Sequence, residues 1–502
     1  MLLLVKAAVL TWLIINGAIG LSPDEAQYWT WSQVPDWGYY SKPPGIAWEI
    51  WFGTELYGNS LLGIRAPSVV LGFCLPLAVY ALAKACRYKT QCAFWAAIIL
   101  ACSPLGILGS FLAITDTGMI LFWTLAYAVI ALALSKEMTP HYYLVGFCIA
   151  CGALFKWPIY LIWSFVIGML PFYPSLRSKH LIGGILVSLL GIIPSFIWNA
   201  SHHWVTMRHV FHSVQGSKPG TLTLLGGNFL DFLAAQAALL SPILFILLLI
   251  AFVFLIKKSS EIPPQGIFCG LSALVILGMM LSLSLFKKVQ GNWADFAYPS
   301  AIVFMSWYCL EKTAWGERWI KGGVALSLAA TAMAFAIPFV QSNNLMPQVQ
   351  IAYKANPFKH NLGWKALEQE LLKVQYNPEE DFLFSNKYQT TSILSFYGPQ
   401  KKRAYFFNIS DVRKNQFTYW PSMADEQLGK TGYFVLIENI PHLDAHIKEI
   451  DAYSSLLAPY FDSVEFLGVK PLFYAYGQVA KAALIYRASG YNGKTPPETE
   501  KY

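Results

Sequence analysis

The chain has 502 residues, 56% hydrophobic and 13% charged, with mean hydropathy +0.45 and net charge +8. Soluble domains carry about 25% charged residues, so the composition argues against a wholly soluble protein, a disordered chain and a nucleic-acid binder. The charge is also uneven. Residues 1–340 hold 19 Lys/Arg and 12 Asp/Glu, whereas residues 341–502 hold 17 and 16. The first part has the sparse charge of lipid-embedded protein and the second has ordinary soluble density.

A helix needs about 20 mostly apolar residues to cross the hydrocarbon. Stretches without Asp, Glu, Lys or Arg run over 7–23, 66–83, 90–115, 117–135, 138–155, 157–176, 181–207, 232–256, 262–286, 296–310 and 322–353. They predict eleven spans. The first reads as a retained helix, since no small-residue cleavage site separates it from Ser22-Pro23-Asp24-Glu25. Lys84, Arg87 and Lys89 follow the second span, Arg177 and Lys179 the sixth, Lys257 and Lys258 the eighth, and Arg318 and Lys321 the tenth. Under the positive-inside rule these basic loops are cytoplasmic. The N-terminus is then cytoplasmic and the tail is outside. Lys42, Arg65, Lys156, Arg208, Lys287 and Lys288 break the trend on the outer side. They read either as headgroup-snorkelling cations or as a site for an anionic group.

The tail predicts a small extracytoplasmic α/β domain over 341–502. Asp381–Ser385, Ile393–Tyr397 and Gly432–Ile437 read as strands; Leu362–Val374 and Pro441–Ala458 read as amphipathic helices. Residues 490–502 read as frayed. All eight cysteines lie in or beside apolar runs and read as packing residues, with neither metal-ligand spacing nor a disulfide framework.

Chemistry is best sought in the first outer loop, residues 22–60. Asp24 and Glu25 follow an uncharged span directly, and carboxylates at that depth are functional candidates by default. The alternative is helix capping by Ser22 and Asp24. Tyr28, Tyr39 and Tyr40 belong to an aromatic set that suits either an interfacial belt or a substrate lining. Asp116 is the only charge between Lys89 and Lys136 and faces the same side as Asp24 by topology. The later outer loops add His202, His203, His209 and His212, which match no zinc signature, and Lys287-Lys288 followed by Asn292-Trp293.

Asp24-Glu-Ala-Gln-Tyr-Trp, Asp36-Trp-Gly-Tyr-Tyr-Ser-Lys-Pro-Pro, Gly63-Ile-Arg-Ala-Pro-Ser, the Thr115-Asp116 turn, Trp198-Asn…His202…Trp204…Arg208 and Asn292-Trp-Ala-Asp-Phe-Ala-Tyr-Pro occur in order. Together they resemble the bacterial branch of the dolichyl-phosphate-mannose–protein mannosyltransferase superfamily, a branch that also resembles the lipid A aminoarabinose transferases. Tyr388-Gln, Phe396-Tyr-Gly-Pro and Asn415-Gln…Trp420-Pro extend the resemblance into the tail. It implies a GT-C type membrane glycosyltransferase of the bacterial inner membrane. Residues 1–340 would form the transmembrane catalytic domain, with a polyprenyl-phosphate-linked sugar as donor and a lipid or protein acceptor outside. The partners are then the lipid-linked sugar, the acceptor and membrane lipids, with no nucleic acid.

Carried over, Asp24 matches the first-loop catalytic aspartate and Asp116 the second acidic position, while Lys42 and Arg208 match residues that hold the lipid phosphate. Two departures stand out. Ser41 replaces a glutamate found before the lysine in the aminoarabinose transferases, and His203 stands where relatives often have Asp. No cofactor is assigned; a divalent metal ion is the one candidate, and the missing glutamate counts against it.

The chemistry of the residues agrees. A sugar on a lipid phosphate has a good leaving group and needs positive charge on the departing phosphate, with a carboxylate base for the acceptor hydroxyl. Asp24 is read as the base, with Glu25 or Asp116 orienting. Lys42, Arg208, Lys287, Lys288 and Arg65 are read as phosphate-binding, and Tyr28, Tyr39, Tyr40, His202, Asn292 and Trp293 as lining. Inversion at the anomeric carbon follows from the resemblance. The competing readings are an oligosaccharide ligase with a diphosphate-linked donor and a polyprenyl-lipid transporter or flippase. A transporter should show mid-membrane charges and repeated halves, and the sequence has neither.

Overall fold

The computed structural model describes residues 1–215, 226–439 and 450–501. Its helices follow the apolar stretches in order: α1 Leu2–Asn16, α2 Pro23–Ser32, α3 Gly45–Tyr57, α4 Leu61–Ala85, α5 Thr90–Cys102, α6 Pro104–Phe111, α7 Thr115–Ser135, α8 Tyr142–Ala153, α9 Leu161–Met169, α10 His180–Ser188, α11 Ile193–Ser201, α12 Val205–Gln215, α13 Phe229–Leu240, α14 Pro242–Lys257, α15 Pro264–Leu283, α16 Tyr298–Glu311 and α17 Gly316–Ser342. By length and composition, α4, α7, α15 and α17 can each cross a membrane alone, and three bent pairs raise the number among the described residues to seven.

The eleven stretches thus count apolar sequence rather than straight helices. The chain bends by 58° between α5 and α6, by 48° before Ile193–Ser201 and by 104° between α13 and α14. Each second helix carries proline in its first turn, Pro104, Pro194 and Pro242. Proline lacks an N–H to continue the preceding helix but fits a new first turn. Ser103 and Ser241 cap two of these new starts, accepting from Gly106 N and Leu244 N. Six of the eight cysteines are buried and all are unbridged.

Beyond α17 lie α18 Lys365–Lys373, α19 Tyr388–Tyr397 and a five-stranded sheet of order β2-β1-β3-β5-β4. The strands are β1 Phe382–Ser385, β2 Tyr405–Phe406, β3 Gly432–Asn439, β4 Phe461–Ala475 and β5 Gln478–Tyr491. β1 pairs in parallel with β2 and β3; β5 is antiparallel to β3 and β4. Alternation sorts side chains onto two faces. Tyr433, Val435, Ala483 and Ile485 enter one core, and Phe434, Leu436, Leu484 and Tyr486 enter an aromatic core on the other side.

Two tail expectations need correction, and one element was not anticipated. Ile393–Tyr397 lies within helix α19. Its Thr391, Ser392 and Ser395 hydroxyls donate to carbonyls four residues back, so a polar, β-prone sequence is buried as helix without orphaned groups. The long β4–β5 hairpin had no counterpart in the pattern reading. The terminus is not frayed through residue 501. Lys414 N donates to Lys501 O at 2.8 Å, Lys414 Nζ pairs with Glu498 and Lys501 Nζ pairs with Asp411. Of the helix expected over Pro441–Ala458, Ile450–Leu457 is present; residues 441–449 lie outside the described residues.

The sheet domain shares its first core with the outer loop. Tyr28, Trp29, Trp31 and Ile46 pack in one cluster with Trp364, Leu371, Ile393 and Phe396. Polar contacts fix the same seam: Tyr397 OH accepts from Leu21 N at 2.8 Å, Trp364 Nε1 donates to Leu21 O at 3.0 Å, and Gln416 Oε1 accepts from Tyr40 N at 2.7 Å. Gly20 is required at this seam, because a Cβ there would lie 2.7 Å from Tyr397 Oη and 2.8 Å from Asn361 O.

Candidate active site

The site is organised from Glu25. Ser22 and Glu25 form a reciprocal capping box at the start of α2. Ser22 Oγ accepts from Glu25 N at 3.2 Å, and Glu25 Oε2 accepts from Ser22 N at 2.8 Å. Pro23 occupies the first turn. Capping therefore consumes Ser22 and Glu25 and leaves the Asp24 carboxylate unused.

Glu25 does more than cap. Arg65 of α4 donates to it twice, Nε to Oε1 at 2.7 Å and Nη2 to Oε2 at 2.8 Å, and Ala113 N donates to Oε1 at 3.0 Å. Arg65 also donates to Ile19 O and Gly20 O and lies 4.6 Å over the Phe111 ring. Both side chains are 0% exposed. This buried pair ties α2 and α4 to the turn before α7, which brings Asp24 and Asp116 to one place. It also corrects two expectations: with every face occupied, Glu25 cannot meet an acceptor and Arg65 cannot meet a phosphate.

Asp24 is solvent-exposed, yet loss of hydration raises its pKa, opposed by Lys42, reinforced by Glu25 and opposed more weakly by Arg413. Such a combination marks an open carboxylate in a recess. Lys42 is half-buried. Loss of hydration lowers its pKa; Lys156 lowers it further, Asp116 and Asp24 raise it, and Arg413 lowers it. Among the described residues neither the Asp24 carboxylate nor the Lys42 ammonium makes a hydrogen bond or ion pair. Each senses the charge of the other without forming an ion pair.

Asp116, at the first turn of α7, is instead occupied. Lys156 Nζ pairs with its Oδ1 at 2.6 Å, and Thr115 Oγ1 and Asn292 Nδ2 approach Oδ2 at 3.4 and 3.5 Å. Asp295, in the 3-10 turn Gly291–Ala297, is 4% exposed with Oδ1 unpartnered. Burial and then Asp116 push its pKa well above the carboxylate range, against Lys156.

The other expected residues divide. Tyr28 is buried where Asp24 and Asp116 both act on it. Tyr39 is core: it stacks on Trp31 at 4.7 Å and its hydroxyl donates to Trp31 O. Tyr40 packs beside His209 at 4.9 Å. His202 stacks on Trp198 at 4.0 Å, and its Nδ1 lies 2.8 Å from Trp198 O, a packing role. Trp198 in turn donates to Asp36. Arg208 and Lys288 are exposed; Lys287 lies 6.0 Å from the Trp293 ring. Lys156 carried a signal as an outer cation but no role. Tyr388 and His209, named in the sequence without a role, meet Arg413 at the site; Arg413 comes from far along the chain, and no local pattern encodes it.

A divalent metal does not fit these side chains. Among the described residues no three His, Cys, Asp or Glu converge. Ser41 supplies no carboxylate beside Lys42, and the ammonium of Lys156 already fills the cation position at Asp116.

The chain is similar to known proteins. Residues 41–198 match the family model "Dolichyl-phosphate-mannose-protein mannosyltransferase". The lipid A galacturonosyltransferase RgtD of Rhizobium johnstonii is 31% identical over 317 residues, 62% of this chain. The match spans 64% of that relative's length. ArnT of Cupriavidus metallidurans has the same fold, with TM-scores of 0.58 in the apo state and 0.62 bound to undecaprenyl phosphate. Sequence identity is 13% in both, and the alignments cover 96% of this chain and 96% and 97% of ArnT. Residues 41–198 thus resemble that family, the chain spans less than two thirds of the curated relative it matches, and as a whole it has the fold of ArnT.

Proposed function

We propose that this protein is a membrane glycosyltransferase that moves one sugar from a polyprenyl phosphate to lipid A at the outer face of a bacterial inner membrane. The observation that carries the reading is that the Asp24 carboxylate and the Lys42 ammonium sense each other's charge while, among the described residues, neither forms an ion pair. The similarity to a lipid A galacturonosyltransferase supports the acceptor, and an ArnT structure bound to undecaprenyl phosphate supports the donor.

In this reading the acceptor hydroxyl oxygen attacks the anomeric carbon while its proton passes to Asp24. The bond from that carbon to the phosphate oxygen breaks, and the phosphate leaves with the electron pair toward Lys42. A raised pKa makes Asp24 a stronger base than a surface aspartate, and Lys42 stabilises charge that develops only as the bond breaks. One displacement inverts the anomeric centre. Asp116, locked by Lys156, holds Asn292 and the floor of the site; Arg208, Lys287 and Lys288 guide the lipid phosphate. Glu25 and Arg65 position Asp24.

The positive-inside bias of the basic loops supports an outer location for the site and the sheet domain. A membrane-impermeant maleimide should label Glu380→Cys in intact cells; labelling only after lysis would reverse the topology. Purified protein should consume a radiolabelled polyprenyl-phosphate sugar only when lipid A is supplied. Consumption with a protein acceptor and not with lipid A would replace the acceptor, and binding without turnover across both would favour lipid transport.

A further inference from the structure

Arg413 reaches the site from the segment between β2 and β3. Its Nη1 lies 3.3 Å from His209 Nδ1 and its Nη2 3.5 Å from the Tyr388 hydroxyl, with the guanidinium 5.4 Å from the Tyr388 ring and 6.0 Å from the Tyr40 ring. These partners are neutral. His209 is pulled down to about 4 by burial, Arg413 and Lys42, so at neutral pH it accepts from Arg413 as an uncharged ring. Arg65 and Lys156 each have a carboxylate; among the described residues Arg413 has none. Arg413 senses the Asp24 charge but forms no ion pair with it among the described residues, and a half-buried guanidinium without a contacting carboxylate favours a ligand that brings one.

Position narrows the ligand. Lys42 senses the charges of Lys156 and Asp116 as well as those of Asp24 and Arg413, so the recess is lined from two sides. One side is built from α7 and the turn after α8, elements of the helical, membrane-embedded part. The other is built by the sheet domain around Arg413. A lipid-borne phosphate arrives at the helical side, within reach of Lys42. What projects toward Arg413 is the part of the donor farthest from its lipid, the sugar. The planar fork of arginine matches a carboxylate with two parallel hydrogen bonds.

We infer that Arg413, with Tyr388, binds a carboxylate on the transferred sugar and so selects a hexuronate over a neutral hexose. The inference rests on the glycosyl-transfer reading above. It adds a substrate class and a residue, and it agrees with the galacturonosyl activity named for the Rhizobium johnstonii relative.

The test uses full-length protein in detergent, lipid A as acceptor and two short-chain polyprenyl phosphates that differ only in carrying galacturonate or galactose. Wild type should use the galacturonate donor at least tenfold better in kcat/KM. Arg413→Gln should bring the ratio near one, mainly by raising KM for the galacturonate donor far more than for the galactose donor. Arg413→Lys, which keeps charge but loses the fork, should restore only part of the preference. A merely structural Arg413 would lower both donors together. Equal use of both donors by wild type, or a parallel loss in both variants, overturns the inference and leaves glycosyl transfer standing. Consumption of neither donor by wild type overturns both.

Discussion

Replacing Arg65 with methionine tests how the site is held. The change removes two bonds to Glu25, at 2.7 and 2.8 Å, and two to the carbonyls of Ile19 and Gly20, at 3.0 and 2.7 Å. Methionine keeps most of the volume over Phe111. The Glu25 carboxylate is then left fully enclosed with only the N–H groups of Ser22 and Ala113. Breaking a buried pair from one side costs about 3–5 kcal/mol, and Glu25→Gln should cost a similar amount by stranding Arg65. The double variant strands neither charge. It should therefore be less destabilised than the sum of the single changes by about 2 kcal/mol or more. Urea unfolding in detergent, followed by tryptophan fluorescence, reads all three. Single losses below about 1 kcal/mol, or strict additivity, would refute the role given to this pair.

Further outcomes follow from the same geometry. Asp24 acts deprotonated and its pKa is raised, so kcat/KM should fall as pH drops through a value above the ordinary carboxylate range. Lys42 lowers that pKa, so Lys42→Gln should move the acid limb of the residual activity to higher pH; a limb that stays or moves down contradicts the coupling. Lys156→Met leaves Asp116 and Asp295, each 4% exposed, without their cation and should destabilise by about 2–4 kcal/mol. Asp116→Asn added to it should recover part, and no recovery would show that the charges do not interact. Chelator should leave turnover within twofold of untreated protein, because Ser41 and Lys156 stand where a metal would need carboxylates; a tenfold loss restored by a divalent ion would overturn that. Gly20→Ala should cost about 1–3 kcal/mol in the same unfolding assay, since Tyr397 and Asn361 already crowd the position.

Much of this was legible locally. Capping at the start of α2 was legible in Ser22, although its reciprocal partner is Glu25 and not Asp24, and the isolation of Asp116 between Lys89 and Lys136 singled it out. Periodicity could not separate the two carboxylates of Asp24-Glu25. Both looked chemical, and only the reach of Arg65, forty residues on, shows that one is structural. Aromatic residues behaved likewise: Tyr39 and Tyr40 are adjacent, yet stacking on Trp31 takes the first into the core. The bends at Ser103 and Ser241 were signalled by the following prolines, but an uncharged run hides its own breaks. Arg413 lay beyond any sequence argument, because its place depends on the sheet domain docking onto the outer loop. The tail motifs around Tyr397 and Gln416 turn out to make that dock.

The base assignment is the centre of the account, and Asp24→Asn examines it with almost no change in shape. Labelled polyprenyl-phosphate sugar and lipid A are given to wild type and variant, with donor binding and thermal stability measured on the same samples. Removing a general base costs about 10²–10⁴-fold, so turnover should fall at least a hundredfold while binding and stability hold. Turnover within threefold of wild type would mean that Asp24 is not the base.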